Sequence, residues 1–373
     1  MNINKSEKYI RSLLEHAGIT VNGNALYDIQ VHDQRFYHRV IRDGALGLGE
    51  SYMDGWWDCE AVDQFIDRSL RADLEKELKG NLKIIWHILK SKIFNLQKFS
   101  RAFQIGERHY DIGNDLYQAM LDKRMNYTCG YWKYANNLDD AQEAKLDLIC
   151  KKLELEPKMK ILELGCGFGS FAGFAAEKYG VEVLGVTVSK EQVELGSKKY
   201  KDLPVELKLM DYRKVTGRYD RVVSIGIMEH VGYKNYRTYM EVADRVLKDN
   251  GLAFVHTIGG NVSVTTANAW TTKYIFPNGM LPSIAQLGKA MEGLFIMEDW
   301  HNIGPDYDRT LMAWYSNFEK AYPKIKDKYN ERFRRMWRFY LLGSAGAFRS
   351  RSNQLWQIVM DKQGRNQPVC RFS

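Results

Sequence analysis

The sequence predicts a doubly wound, mainly parallel α/β sheet preceded by a small, mainly helical N-terminal domain. Three observations carry this expectation. Beyond residue 102, β-rich runs at 160–164, 182–187, 205–209, 221–225 and 251–256 alternate with helix-length amphipathic stretches, the pattern of strands joined by crossover helices. The first run leads directly into a glycine-rich turn and then a helix. The chain has 373 residues, a length that favours two unequal domains.

The elements follow in chain order. Residues 1–92 form the N-terminal domain: short helical patterns, a possible strand at 28–32 and a turn-rich stretch, Gly44-Ala-Leu-Gly-Leu-Gly-Glu-Ser-Tyr-Met-Asp-Gly-Trp-Trp-Asp58. Residues 93–102 read as a basic linker and 103–373 as the sheet domain. Late in the chain, 324–346 looks helical and arginine-rich, and 355–360 reads as a last strand, antiparallel at the far end of the sheet.

Composition narrows the class. Apolar content of 45% with 27% charged residues is that of an ordinary globular protein. No run approaches the ~20 apolar residues of a spanning helix, and the start lacks the basic and apolar regions of a signal peptide, so a cytoplasmic protein is expected. Five cysteines, with no Cys-x-x-Cys pair, read as reduced thiols rather than a disulfide or zinc framework. A net charge of +8 biases the chain toward anionic partners.

That charge is uneven. Between 79 and 101 there are six basic residues and no acidic one, with Leu82, Ile85, Trp86, Leu89, Ile93 and Leu96 at helical spacing. At about 100° per residue these apolar positions form one stripe, bordered by Lys79, Lys83 and Lys90. The stripe suits an anionic membrane surface. It equally suits a surface helix packed on its own domain, and the segment alone leaves both open. No helix-turn-helix, zinc-finger or RNA-platform motif accompanies it, so nucleic acid is not an expected partner.

The run Lys160-Ile-Leu-Glu-Leu-Gly-Cys-Gly-Phe-Gly-Ser170 is the cofactor candidate. Gly165 and Gly167 permit unusual backbone angles and close approach, and Gly169 stands where the next helix begins. Glu163 is placed to meet an α-amino group. With no Gly-Lys-[Ser/Thr] phosphate motif present, the turn points to S-adenosylmethionine, and the sheet to the class I S-adenosylmethionine-dependent methyltransferase type.

Together with Gly185-Val-Thr-Val-Ser-Lys-Glu-Gln192, Glu229-His-Val-Gly232, His256-Thr-Ile-Gly259 and Tyr274-Ile-Phe-Pro-Asn-Gly279, this run resembles the cyclopropane-fatty-acyl-phospholipid synthase family over nearly the whole chain. The resemblance implies Thr187 and Gln192 as cofactor contacts and Asp211, after the third strand, near the adenine. It also implies that His109-Tyr-Asp-Ile-Gly-Asn-Asp115 and Tyr127-Thr-Cys-Gly-Tyr-Trp132 close over the cofactor, through Tyr127 and Thr128, with threonine where a serine is expected.

The activity implied is transfer of a methylene group from S-adenosylmethionine to a cis double bond of an unsaturated phospholipid acyl chain. An alkene is a poor nucleophile and its methylated form is a carbocation, so the site must exclude water and hold a base at the new methyl group. In the resembled family the base is bicarbonate, held by side chains equivalent to Cys129, Glu229, His256 and Tyr307 and by the backbone of Ile258. A negative Glu229 would repel that anion, so either a shared proton or a positively charged His256 is expected. Tyr274, Phe276 and Trp270 are candidates for facing the cation. The resemblance further implies a homodimer acting at the inner face of the cell membrane. A methyltransferase of the same fold making methyl-branched chains or methylating a small amine is the alternative.

Overall fold

The computed structural model describes residues 3–74 and 113–372. The basic stripe at 79–101, the linker at 93–102 and the first part of the His109 motif lie outside the described residues. The chain divides into two compact units, one formed by Met1–Phe94, Thr265–Pro277 and Tyr307–Asn353, the other by Asn95–Val264, Asn278–Asp306 and Gln354–Ser373.

The second unit holds a seven-stranded sheet. Its strands are β3 (Lys160–Leu164), β4 (Glu182–Thr187), β5 (Val205–Leu209), β6 (Tyr219–Ile225), β7 (Leu247–Gly260), β8 (Ile296–Asn302) and β9 (Asn353–Asp361), in the order β5-β4-β3-β6-β7-β9-β8. The pairs β3–β4, β4–β5, β3–β6 and β6–β7 are parallel, and β8–β9 is antiparallel. Alternate residues enter two separate cores. Leu162, Val222, Val255 and Ile358 join one, whereas Ile161, Val223, Phe254 and Val359 join the other. Burial on both faces explains why these strands read as continuous aliphatic runs.

The last strand departs from expectation. β9 lies inside the sheet, between β7 and β8, and the edge is β8. The sequence of β8, Ile-Met-Glu-Asp-Trp-His-Asn, hides it, because charges interrupt its apolar residues as they commonly do on an edge.

The first unit is mainly helical, but it is not contiguous. The sequence reading assigns 103–373 to one domain, whereas Thr265–Pro277 and Tyr307–Asn353 cluster with the N-terminal residues. Ion pairs and aromatic packing join these segments to the N-terminal residues. Arg349 bonds Asp63 at 2.5 Å and Asp308 at 2.9 Å, and Lys273 and Tyr274 reach Glu50 at 2.5 and 2.8 Å. Arg335 donates to the carbonyls of Tyr52 and Trp57.

The possible strand at 28–32 is a two-residue β1 (Gln30–Val31), antiparallel to β2 (Trp57–Asp58). The stretch expected to be turn-rich contains a helix, Ala45–Met53. Its glycines are there for contact. A Cβ on Gly47 would strike the Arg39 carbonyl, and one on Gly49 would strike the Trp270 indole, so close packing outweighs their poor helix propensity. The arginine-rich helix runs Glu331–Arg349, capped by Asn330, whose side chain accepts from the Phe333 amide at 2.9 Å.

Candidate active site

The strand order reverses between β3 and β6, whose carboxyl ends border the crevice in which open α/β sheets bind ligands, with β7 next to β6. At the end of β3 the turn takes left-handed angles at Gly165, Gly167 and Gly169, with φ of 78°, 53° and 76°. A Cβ on Gly165 would collide with Ile227, while one on Gly167 meets nothing within 4 Å. Gly165 and Cys166 donate to the Val186 carbonyl at 2.8 and 3.0 Å, which ties the turn to β4.

Glu163, near the end of β3, is buried, and burial pushes its carboxyl up to about 8. Its Oε2 has no hydrogen-bond partner among the described residues. A buried carboxyl with an unused oxygen beneath a glycine turn fits an incoming ammonium group. Beside it at the end of β4, the Thr187 hydroxyl donates to Gln192 Oε1 at 2.7 Å. Asp211, after β5, is buried and bonded through both oxygens by Arg213, at 2.8 and 2.6 Å. Its carboxylate is thus already paired.

The second cluster lies at the ends of β6 and β7. Glu229 sits in the short helix Met228–Val231 and its Oε1 accepts from the Ile258 amide at 2.6 Å. Burial raises its carboxyl to about 7, and its Oε2 is buried without a partner among the described residues. His256 is buried on β7, two residues from Ile258, and burial pushes its basicity well below normal. Gln357 faces its Nδ1 at 3.5 Å, while Nε2 is buried and without a partner among the described residues.

The Tyr127-Thr-Cys129 segment belongs to the same unit. Gly226, which follows β6 at φ 71°, has no room for a Cβ because the Thr128 methyl stands 2.8 Å from that position. Cys129 is fully buried and its Sγ lies 3.1 Å from the Gly130 carbonyl oxygen. The Tyr127 ring meets Tyr117 edge-on at 5.2 Å.

Tyr307 belongs to the other compact unit. It is buried in the first turn of the helix Gly304–Ile325, against Trp314 and Phe348 at ring separations of 5.9 and 4.6 Å. Trp270 in that unit is a core residue, edge-on to Phe339 at 4.9 Å, and the Tyr274 hydroxyl is taken by Glu50.

One group was missed by the sequence reading. Lys145, in the helix Leu138–Lys152, is wholly buried and donates to Asn126 Oδ1 at 3.1 Å and Thr128 Oγ1 at 3.0 Å. Gln142, one turn earlier, donates to the Thr128 carbonyl at 2.7 Å. The signal was available: Lys145 is spaced four residues from both Ala141 and Ile149, on the apolar face.

The sheet order, glycine turn and buried acid define a class I S-adenosylmethionine-dependent methyltransferase. Comparison with known proteins narrows this. Residues 97–358 match the model of the mycolic acid cyclopropane synthetase family. The cyclopropane-fatty-acyl-phospholipid synthase of Escherichia coli K12 is 50% identical over 350 residues, which cover 94% of this chain and 92% of that one. The mycolic acid cyclopropane synthase CmaA1, solved with S-adenosylhomocysteine, is 30% identical with a TM-score of 0.65, over 70% of this chain and 98% of that one. Coclaurine N-methyltransferase shares the fold at 22% identity and a TM-score of 0.68, over 84% of this chain and 99% of that one. The chain belongs to the cyclopropane synthase family and is an S-adenosylmethionine-dependent enzyme.

Proposed function

We propose that this enzyme builds a cyclopropane ring on the cis double bond of an unsaturated phospholipid acyl chain. The observation that carries the reading is the pair of buried, unpartnered polar atoms, Glu229 Oε2 and His256 Nε2, on neighbouring elements. Simple methylation of an amine does not require a polar pocket so deep in an apolar core, whereas removing a proton from a methylated hydrocarbon does.

Bound S-adenosylmethionine supplies the electrophilic methyl group. Glu163 receives the ammonium of its amino-acid tail, the turn Gly165-Cys-Gly167 lets the backbone approach it, Thr187, Gln192 and Asp211 surround the ribose and adenine, and Tyr127 and Thr128 cover it. Bicarbonate, where bound, supplies the base. Cys129, Glu229, His256 and the backbone of Ile258 would hold it. A protonated Glu229 can donate one hydrogen bond to such an anion, and the Ile258 amide fixes which carboxyl oxygen is left to do so.

The acyl chain is reached at a membrane. No helix among the described residues is long and apolar enough to cross one. The basic stripe at 79–101 is the proposed contact with an anionic surface, where each cation contributes about 1 kcal/mol before screening, and the active assembly is proposed to be a homodimer at the inner face of the cell membrane. Replacing Lys79, Lys83 and Lys90 with Gln should weaken binding to anionic vesicles at low salt and spare cofactor affinity. The reaction itself is tested by incubating the purified protein with S-adenosylmethionine and vesicles of cis-monounsaturated phospholipid. The acyl chains should gain one CH2 and lose the alkene proton signals. Unchanged acyl chains would contradict the proposal.

A further inference from the structure

We propose that Lys145 is a positioning residue for the cofactor's amino-acid tail, acting through Thr128 as the positive counterpart of Glu163. The inference rests on the proposed placement of the tail's ammonium at Glu163. The tail is a zwitterion, and a buried site that takes its ammonium must also satisfy its carboxylate. Lys145 is the group so placed.

Three features of the second unit support this. Glu163 shares strand parity with Ile161, which enters the same core as Leu146 and Ile149, so the acid lies on the sheet face covered by the helix that carries Lys145. Lys145 is wholly buried, yet among the described residues it makes no direct ion pair, and its two acceptors are the neutral Asn126 and Thr128. A buried ammonium without a direct ion pair gains from any further negative charge a ligand brings near it. Burial lowers Lys145 to about 8, opposed first by the nearby Asp122 charge and more weakly by Glu163, and burial raises Glu163 to about 8, opposed by Lys145.

The hydrogen bonds give the direction. The Asp122 carboxylate accepts from the Asn126 side-chain amide at 2.8 Å, so the amide carbonyl turns to Lys145. Lys145 in turn donates to the Thr128 hydroxyl oxygen. The hydroxyl proton therefore points away from Lys145 and is free to be donated to a carboxylate. Thr128 would touch the tail, with Lys145 behind it fixing its orientation and adding the charge.

The test compares two ligands on the full chain by calorimetry: S-adenosylhomocysteine, which has the tail, and methylthioadenosine, which lacks it. Lys145→Met should lose about tenfold or more in affinity for S-adenosylhomocysteine, the worth of a hydrogen bond to a charged group. Its affinity for methylthioadenosine should stay within about twofold of wild type on the same scale. Equal affinities of variant and wild type for both ligands, or an equal loss for both, would overturn the role of Lys145. A wild type that binds the two ligands equally would instead overturn the placement of the tail at Glu163, and this inference with it. Should Lys145→Met fail to fold by thermal melting, Thr128→Val removes the same contact and should show the same ligand-selective loss; a non-selective result there would also overturn the proposal.

Discussion

The Ile258 amide holds one oxygen of Glu229 at 2.6 Å and leaves the other buried and unpartnered among the described residues. This single bond fixes the orientation of the carboxyl between β6 and β7. It leaves Oε2 as the carboxyl oxygen not engaged by the described residues.

Glu229→Gln should keep the Ile258 contact, because an amide oxygen accepts as the carboxyl oxygen does, while removing the titrating proton. Cofactor affinity should remain within about threefold of wild type, and turnover should fall by about 10²-fold, the usual contribution of a positioned acid–base group. Turnover equal to wild type in bicarbonate-saturated buffer would remove Glu229 from the reaction.

The two glycines of the turn should separate stability from binding. Gly165→Ala forces a methyl into Ile227 at a left-handed backbone angle, a clash expected to destabilise by about 2 kcal/mol or more in denaturant melts. Gly167→Ala has only the backbone term, about 1 kcal/mol. Its main effect should be a loss of S-adenosylhomocysteine affinity measured by calorimetry. Unchanged affinity would displace the cofactor from this turn.

Stability should depend on pH in a defined direction. Glu163 and Glu229 have carboxyls raised to about 8 and about 7, from an ordinary value near 4.5. The folded state binds these protons more tightly than the unfolded one. Their contribution is full below the unfolded value and is lost as pH rises through 7 and 8, at up to about 1.4 kcal/mol per pH unit for each group. Urea midpoints of the ligand-free protein should fall between pH 5 and 8, in buffers set to about those values. Glu163→Gln should flatten that slope, and an equal slope in wild type and variant would refute the assignment.

Much of this was legible because the chemistry of burial is simple. β3 and β4 read directly as β-rich runs bounded by turns, β5 reads by its alternation, and the turn after β3 announces itself by three glycines after a buried acid. What stayed hidden violated a local rule for a tertiary reason. β8 carries edge charges, the helix Ala45–Met53 needs glycines for contact, and Lys145 passes for a surface residue because lysine is seldom buried unless paired. Lys152 is hidden in the same way, wholly buried against Asp299 at 3.0 Å and His301 at 3.1 Å.

That second buried lysine gives a stability test away from the cofactor turn. Asp299→Asn removes the charge that compensates Lys152, and breaking such a buried pair costs about 3–5 kcal/mol. Thermal and urea melts should show a loss of that order. A loss below about 1 kcal/mol, the worth of a surface pair, would mean that Lys152 is neutral in the fold.

A transferred methyl group that becomes a ring carbon must lose a proton. Supplying S-adenosylmethionine with a fully deuterated methyl group, and measuring the acyl product by mass spectrometry, tests it most directly. Cyclopropane formation predicts that two of the three deuterons remain in the product, with the third lost to solvent. Retention of all three would mean that the deprotonation attributed to the Glu229 and His256 site does not occur, and that the enzyme makes methyl-branched chains instead.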